Sequence, residues 1–259
     1  MGLHDWISDS IIDDTDRRGP VRVGWLLTDK RSTVLYDDPE RIRSVDMNRE
    51  HAKSASRCPA VLNMESRYFA IKCPVNIRLG FERDANGKPC LKNKMGEQSP
   101  VRGNKLAQLV TLVAEPEWRY RDRPTLQIKT PYLFLADEPV FITQTPPFMH
   151  YLHAPWPGTL FGGRFPIHVW PRPLMWAFEW HDVSKDLILK RGDPWFYVGF
   201  ETVTADRAIT LIEAEMTPEL DEYTQQIAGA VGYVNQTFSL FKNAEKRRPK
   251  SLLKALQRE

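Results

Sequence analysis

Histidine and carboxylate recur near the middle of the chain at a spacing that metal chemistry can use. In LMWAFEWH, residues 174–181, Glu179 and His181 lie two apart. On a strand such residues share one face, while Trp176, Phe178 and Trp180 share the other. His168 stands in the preceding stretch RFPIHVW, and His150 and His153 lie before it in HYLHAPWPG. Two imidazoles and a carboxylate, His168, Glu179 and His181, would suit a non-heme iron centre with open positions; manganese or zinc would accept the same donors. The enzyme would then be a jelly-roll oxygenase or a cupin-like isomerase, with Arg191 holding an acidic cosubstrate. The plainer alternative is a solvated Glu179–His181 face opposite an aromatic core.

A second group is aromatic. Trp156, Trp170, Trp176, Trp180 and Trp195 are interleaved with Arg164, Arg172 and Arg191. Sugars and bases stack on such rings, and arginine adds hydrogen bonds or cation–π contact. Trp156, Trp170, Arg172, Trp180 and Arg191 are the candidate ligand-binding residues. The competing use of large aromatics is to fill a core. Cys58, Cys73 and Cys90 lack a CxxC partner, and no neighbour marks any of them as a reactive thiolate. There is no phosphate-loop pattern and no GxSxG elbow. The end of the chain, EKRRPKSLLKALQR, is basic and would suit an acidic partner or nucleic acid.

These residues need elements to hold them. Short runs rich in valine, isoleucine and aromatics, punctuated by proline, read as strands. They are VRVGWLL, STVLY, RYFAIKC, VNIRLGFE, WRYR, TLQIK, YLFLA, VFITQ, RFPIHVW, LMWAFEWH, DLILK, WFYVGFE and RAITLIEAE. Asn86-Gly87 predicts a hairpin. Residues 105–113 fit strand or helix, and Cys58-Pro59 reads as the end of a polar, partly helical segment. Thr217-Pro218-Glu219 predicts a helix start, with Thr217 as cap and Pro218 at the first turn. Leu220, Tyr223, Ile227, Val231, Val234, Phe238 and Phe241 then recur at helical spacing, predicting one long amphipathic helix. Residues 1–14 carry a shorter stripe of the same kind.

The fold class expected is mainly β: a β-sandwich or jelly roll, a double-stranded β-helix included, with that long C-terminal helix packed on it. Residues 1–241 form one domain and 242–259 a basic extension. The chain has 259 residues, 42% apolar and 27% charged, with a formal charge of +3. That composition is globular, and so small a net charge says little about partners. The N-terminal residues do not read as a secretory signal, no stretch is apolar enough for a membrane helix, and unpaired thiols point to the cytoplasm.

Three stretches together, RCPAVLN with IKCPVNIRL (57–63, 71–79), RFPIHVWPRPLMWAFEW (164–180) and RGDPWFYVGFE (191–201), resemble a family of uncharacterised proteins from tailed phages and bacteria. The resemblance implies an accessory protein of phage or bacterial origin and assigns no residue a role. The first expectation is therefore a binding protein for a glycan, a peptide or a protein partner. A metal-dependent enzyme and a phage-particle component are the alternatives.

Overall fold

Unbroken runs of aromatic and β-branched residues make strands that can be buried on both faces. Three such strands carry the centre of this molecule. The computed structural model describes residues 19–29, 34–43, 58–150, 155–204, 207–230 and 237–257. The expected arm at 1–14 and the residues His153, Val231, Val234 and Arg258 fall outside them. The protein is mainly β, in three sheets.

The first sheet is organised by an eleven-residue strand, β7 (Thr125–Leu135). One edge of β7 pairs with β11 (Pro173–Trp180), which pairs in turn with β9 (Gly158–Leu160). The other edge takes β6 (Val110–Leu112) and then β1 (Val21–Leu27), beyond which β14 (Ile209–Glu213) runs parallel to β1. The second sheet has the order β10 (Gly163–Pro166), β8 (Val140–Thr145), β13 (Pro194–Thr202), β3 (Tyr68–Lys72), β2 (Glu40–Arg41). The third is β12 (Leu187–Leu189), β4 (Ile77–Arg83), β5 (Pro89–Asn93). The predicted hairpin at Asn86-Gly87 joins β4 to β5, with Gly87 at φ +75° and the Asp84 N–H bonded to the Lys88 carbonyl at 2.9 Å.

All three sheets feed one core. Even-numbered residues of β7 and β11 point into it: Leu126, Ile128, Tyr132, Trp176, Phe178 and Trp180. They meet Phe196, Val198 and Phe200 of β13 and Leu79 of β4. The stacked pair Trp176–Phe178, 5.3 Å apart and 3° from parallel, follows from two-residue spacing along β11.

The opposite face of the first sheet carries odd-numbered residues such as Leu133 and Leu135. It is closed by α3 (Pro218–Ala230) and α4 (Thr237–Arg247). α1 (Pro59–Glu65) and α2 (Gly103–Leu109) are helices of about two turns elsewhere. Thr217 caps α3 as expected, its Oγ1 accepting the Leu220 N–H at 3.2 Å. The single long helix does not form. The Tyr223 hydroxyl donates to the Ala244 carbonyl at 3.0 Å, whereas one continuous helix would set these residues about 31 Å apart. The chain doubles back, so both helices bury apolar residues on the same sheet.

The expected boundary at 241/242 falls inside α4. After it, the chain crosses the sheet as a strap held by Asp137. The Asp137 carboxylate accepts the Leu252 N–H at 2.6 Å and the Ser251 hydroxyl at 2.8 Å. Leu252 is buried, and Ala255 bridges to Ala214. The strap passes so close to β1 that a Cβ on Gly24 would stand 2.7 Å from Leu253 Cδ1. No helix among the described residues is long and apolar enough to cross a membrane.

Candidate functional site

A site with room for a ligand arises from an irregularity in β7. Leu133 pairs with Pro173 but Lys129 pairs with Met175, so β7 takes four steps where β11 takes two. The extra residues centre on Pro131, which has no N–H for the ladder; its carbonyl instead accepts the Thr28 N–H at 2.9 Å. Opposite this bulge the outer face of the sheet is not covered to its edge by α3. An open groove of about 800 Å³ lies between them, within the size range of ligand sites.

The floor of the groove is apolar, made by Leu133, Trp170, Met175 and Ile227. Its rim is polar, with Lys129 and Arg172 on the sheet side and Asp221 and Gln225 on α3. Asp221 is satisfied within its helix, accepting the Gln225 amide at 2.9 Å and sitting in the first turn, where the helix dipole favours an anion. Lys129 and Arg172 are exposed, and neither side chain has a hydrogen-bond or ion-pair partner among the described residues.

No family model, curated protein or solved structure matches this chain. Chemistry must therefore be read from the residues themselves.

Of the five residues expected to bind a ligand, the structure brings two to the groove, Trp170 and Arg172. Trp170 is 3% exposed and packs against Phe241 with ring centres 5.7 Å apart. Trp180 is wholly buried, its indole N–H shared between the Asp182 and Lys185 carbonyls at 2.9 and 3.1 Å. Trp156 stands edge-on to Trp176 and donates to the Ile188 carbonyl at 3.2 Å, closing the core. Arg191 lies apart, in the turn between β12 and β13, its backbone N–H bonded to Asn76. The aromatic set is thus a core ladder, because β11 turns its large rings inward.

The three expected metal ligands are not assembled. Glu179 and His181 do meet, with Oε1 to Nε2 at 3.0 Å, and Arg123 stands 3.6 Å from the same oxygen. Glu179 is buried, and its second oxygen has no partner among the described residues. This pair sits at the Thr125 end of β7. His168 belongs to the other end. β10 stops at Pro166, and the next residues form a turn in which the Trp170 N–H reaches the Pro166 carbonyl at 2.8 Å. The imidazole then sits against the first residue of β8, with Nδ1 3.2 Å from the Val140 nitrogen and 3.1 Å from its oxygen. Ten residues of β7 separate the two places, roughly 30 Å of strand path. His150 lies half-buried in the loop after β8. Among the described residues no three histidines, cysteines or carboxylates group to hold an ion.

Burial sets the perturbed acidities of the interior. It pushes the Cys73 thiol up to about 12, holds the Tyr223 hydroxyl near 12, and lowers His168 from its ordinary value. At the surface, Lys185 beside Asp182 lowers that carboxyl to about 2. None of these groups shapes the groove's floor or its unpaired cations.

Sequence reasoning missed Lys129, Met175, Asp221 and Gln225. Proline inside a strand run at Pro131, with a lysine two residues before it, was the signal available for a bulge beside an open face.

Proposed function

We propose that the protein recognises another polypeptide, and that the groove beside the Pro131 bulge is where it does so. The observation that carries this reading is the groove's composition: an apolar floor under a rim whose two cations have no partner among the described residues. A glycan is disfavoured because stacking needs an exposed ring face. Trp25, Trp118, Trp170, Trp176, Trp180 and Trp195 are all buried, Trp156 stands edge-on to Trp176, and Tyr36, the half-buried ring of the groove, stands edge-on to Tyr132. A metal-dependent reaction is disfavoured by the separation of His168 from Glu179 and His181. We read the scaffold as sandwich-like, because the first and second sheets contribute facing residues to one core. The accessory role implied by the phage and bacterial resemblance agrees with a recognition module.

The test is selection of binders from a random heptapeptide library on the full chain. Ala228 lies on an exposed face of α3 and lines the groove. The substitution Ala228→Trp fills that space with little risk to folding. Selected peptides should lose binding to Ala228→Trp while the thermal midpoint stays unchanged. Binders indifferent to that substitution, or a library that yields none, overturn the assignment.

A further inference from the structure

We infer that the groove selects peptides that carry a carboxylate flanked by apolar side chains, with Lys129 and Arg172 as the residues that read the acid. This deepens the peptide-binding proposal and rests on it.

The inference starts from the charges that line the groove. Lys129, Arg172, Asp29 and Asp221 supply equal numbers of each sign. The two acids already have interactions, Asp221 with Gln225 and Asp29 with a neighbour of its own. The two cations have none among the described residues. The Gln225 amide leaves the charge of Asp221 in place, but on the sheet wall Lys129 and Arg172 outnumber Asp29, and an anion there would gain charge-assisted hydrogen bonds without displacing an existing ion pair. Arginine's planar fork matches a carboxylate in two parallel bonds.

Position strengthens the point. Lys129 projects from the middle strand of a sheet, on the same face as Leu133, where the neighbouring helices bury leucine and tryptophan. On a face otherwise built for apolar packing, lysine marks the boundary at which that packing ends. Met175, its partner across the ladder, gives the floor next to it a deformable apolar surface suited to varied side chains. An acid near Lys129 and Arg172, with leucine- or isoleucine-like neighbours on Met175 and Ile227, would fit both parts of the groove.

The experiment uses the selected heptapeptides and, for each, a twin with Gln or Asn in place of Glu or Asp. Binding is read by fluorescence anisotropy. The acid should be enriched beside apolar residues, and its amide twin should bind about tenfold more weakly. K129Q and R172Q should each lower affinity for the acid by a similar factor, leaving the amide twin's affinity unchanged. K92Q, on a hairpin of the third sheet, should change nothing. A K129E/R172E variant should select basic peptides. If selected peptides are lost in Ala228→Trp yet ignore K129Q, R172Q and the amide exchange, the groove binds peptides and the carboxylate inference is wrong. If they ignore Ala228→Trp too, the site itself is wrong.

Discussion

Replacing Asp137 with alanine should release the C-terminal strap, and the structure supplies a magnitude. Asp137 Oδ1 accepts the Leu252 N–H at 2.6 Å and the Leu253 N–H at 3.3 Å, while Oδ2 accepts Ser251 at 2.8 Å. Arg248 stands 3.5 Å away and also donates to the Asp137 carbonyl, which the substitution keeps. Hydrogen bonds to a charged acceptor contribute about 1.5–3 kcal/mol each when well formed. The Asp137 side chain is 39% exposed, so solvent screens the ion pair and weakens each bond. About 2–3 kcal/mol for the whole set is reasonable, a fall in thermal midpoint of roughly 5–10 °C at this chain length. Asp137→Asn keeps one acceptor and should lose about half as much. Leu252, 2% exposed, depends on the same anchor. Leu252→Ala should therefore be strongly non-additive with Asp137→Ala in a double-mutant cycle. Circular-dichroism melts give the midpoints, and hydrogen exchange at residues 252 and 253 reports the strap directly. Unchanged protection of those amides in Asp137→Ala, or strict additivity with Leu252→Ala, would refute the anchoring role.

The remaining predictions concern buried groups. His168 has its folded pKa lowered by burial below 6.5, so its neutral form stabilises the fold above pH 6.5 and that contribution is lost as pH falls through the depressed value. His168→Gln should flatten the acid side of a stability–pH curve; an unchanged curve counts against it. His168→Ala and His181→Ala should be additive to within about 0.5 kcal/mol, because they sit at opposite ends of β7; strong coupling would revive a shared metal centre. Cys58 is exposed while the Cys73 thiol is buried and raised to about 12, so Ellman's reagent at pH 8 should label Cys58 first and leave Cys73 unmodified until the protein unfolds. Trp195 is buried with no acceptor for its indole N–H among the described residues. Urea unfolding of Trp195→Phe should therefore show a loss within about 1 kcal/mol, against about 3–5 for Phe178→Ala.

How much of this was legible depended on whether a signal was local. The alternation along β11 placed Trp176, Phe178 and Trp180 inward and brought Glu179 to His181, since a two-residue period needs no partner to be read. The Thr217 cap and the Asn86-Gly87 turn were legible for the same reason. Residues 105–113, which fitted either element, contain both: α2 ends at Leu109 and β6 begins at Val110. Pro59 was read as a stop and is a start, because proline is compatible with the first position of a helix as well as with its end; it opens α1 after an extended Cys58. WRYR was read as a strand, but Trp118 instead turns back to donate to the Val113 carbonyl at 2.8 Å. The hairpin of α3 and α4 was hidden because one apolar stripe at helical spacing looks the same whether it continues or folds back. His168 failed for a non-local reason, the choice of Val140 as its neighbour.

The same contrast explains why Trp156 and Trp180, both expected to meet a ligand, pack into the core while the groove lies on the other face of the sheet. A strand that places three large rings on one face commits them to whatever layer that face meets. Trp176 and Phe178 stack on each other and reach Trp156 and Trp195, so none of these four rings is left for a ligand. The opposite face carries residues that are small, flexible, polar or charged: Met175, Ala177 and Glu179 on β11, with Gln127 and Lys129 on β7. Helices and strap close that face only from Leu133 onward, and the Pro131 bulge marks where the cover stops. If a tighter cover were what stability required, an apolar residue at position 129 would serve better than lysine. Lys129→Leu should thus leave stability equal or higher, while weakening any acidic peptide held in the groove. A variant destabilised by more than about 1 kcal/mol in urea would instead mean that Lys129 supports the fold, and the open face would need another explanation.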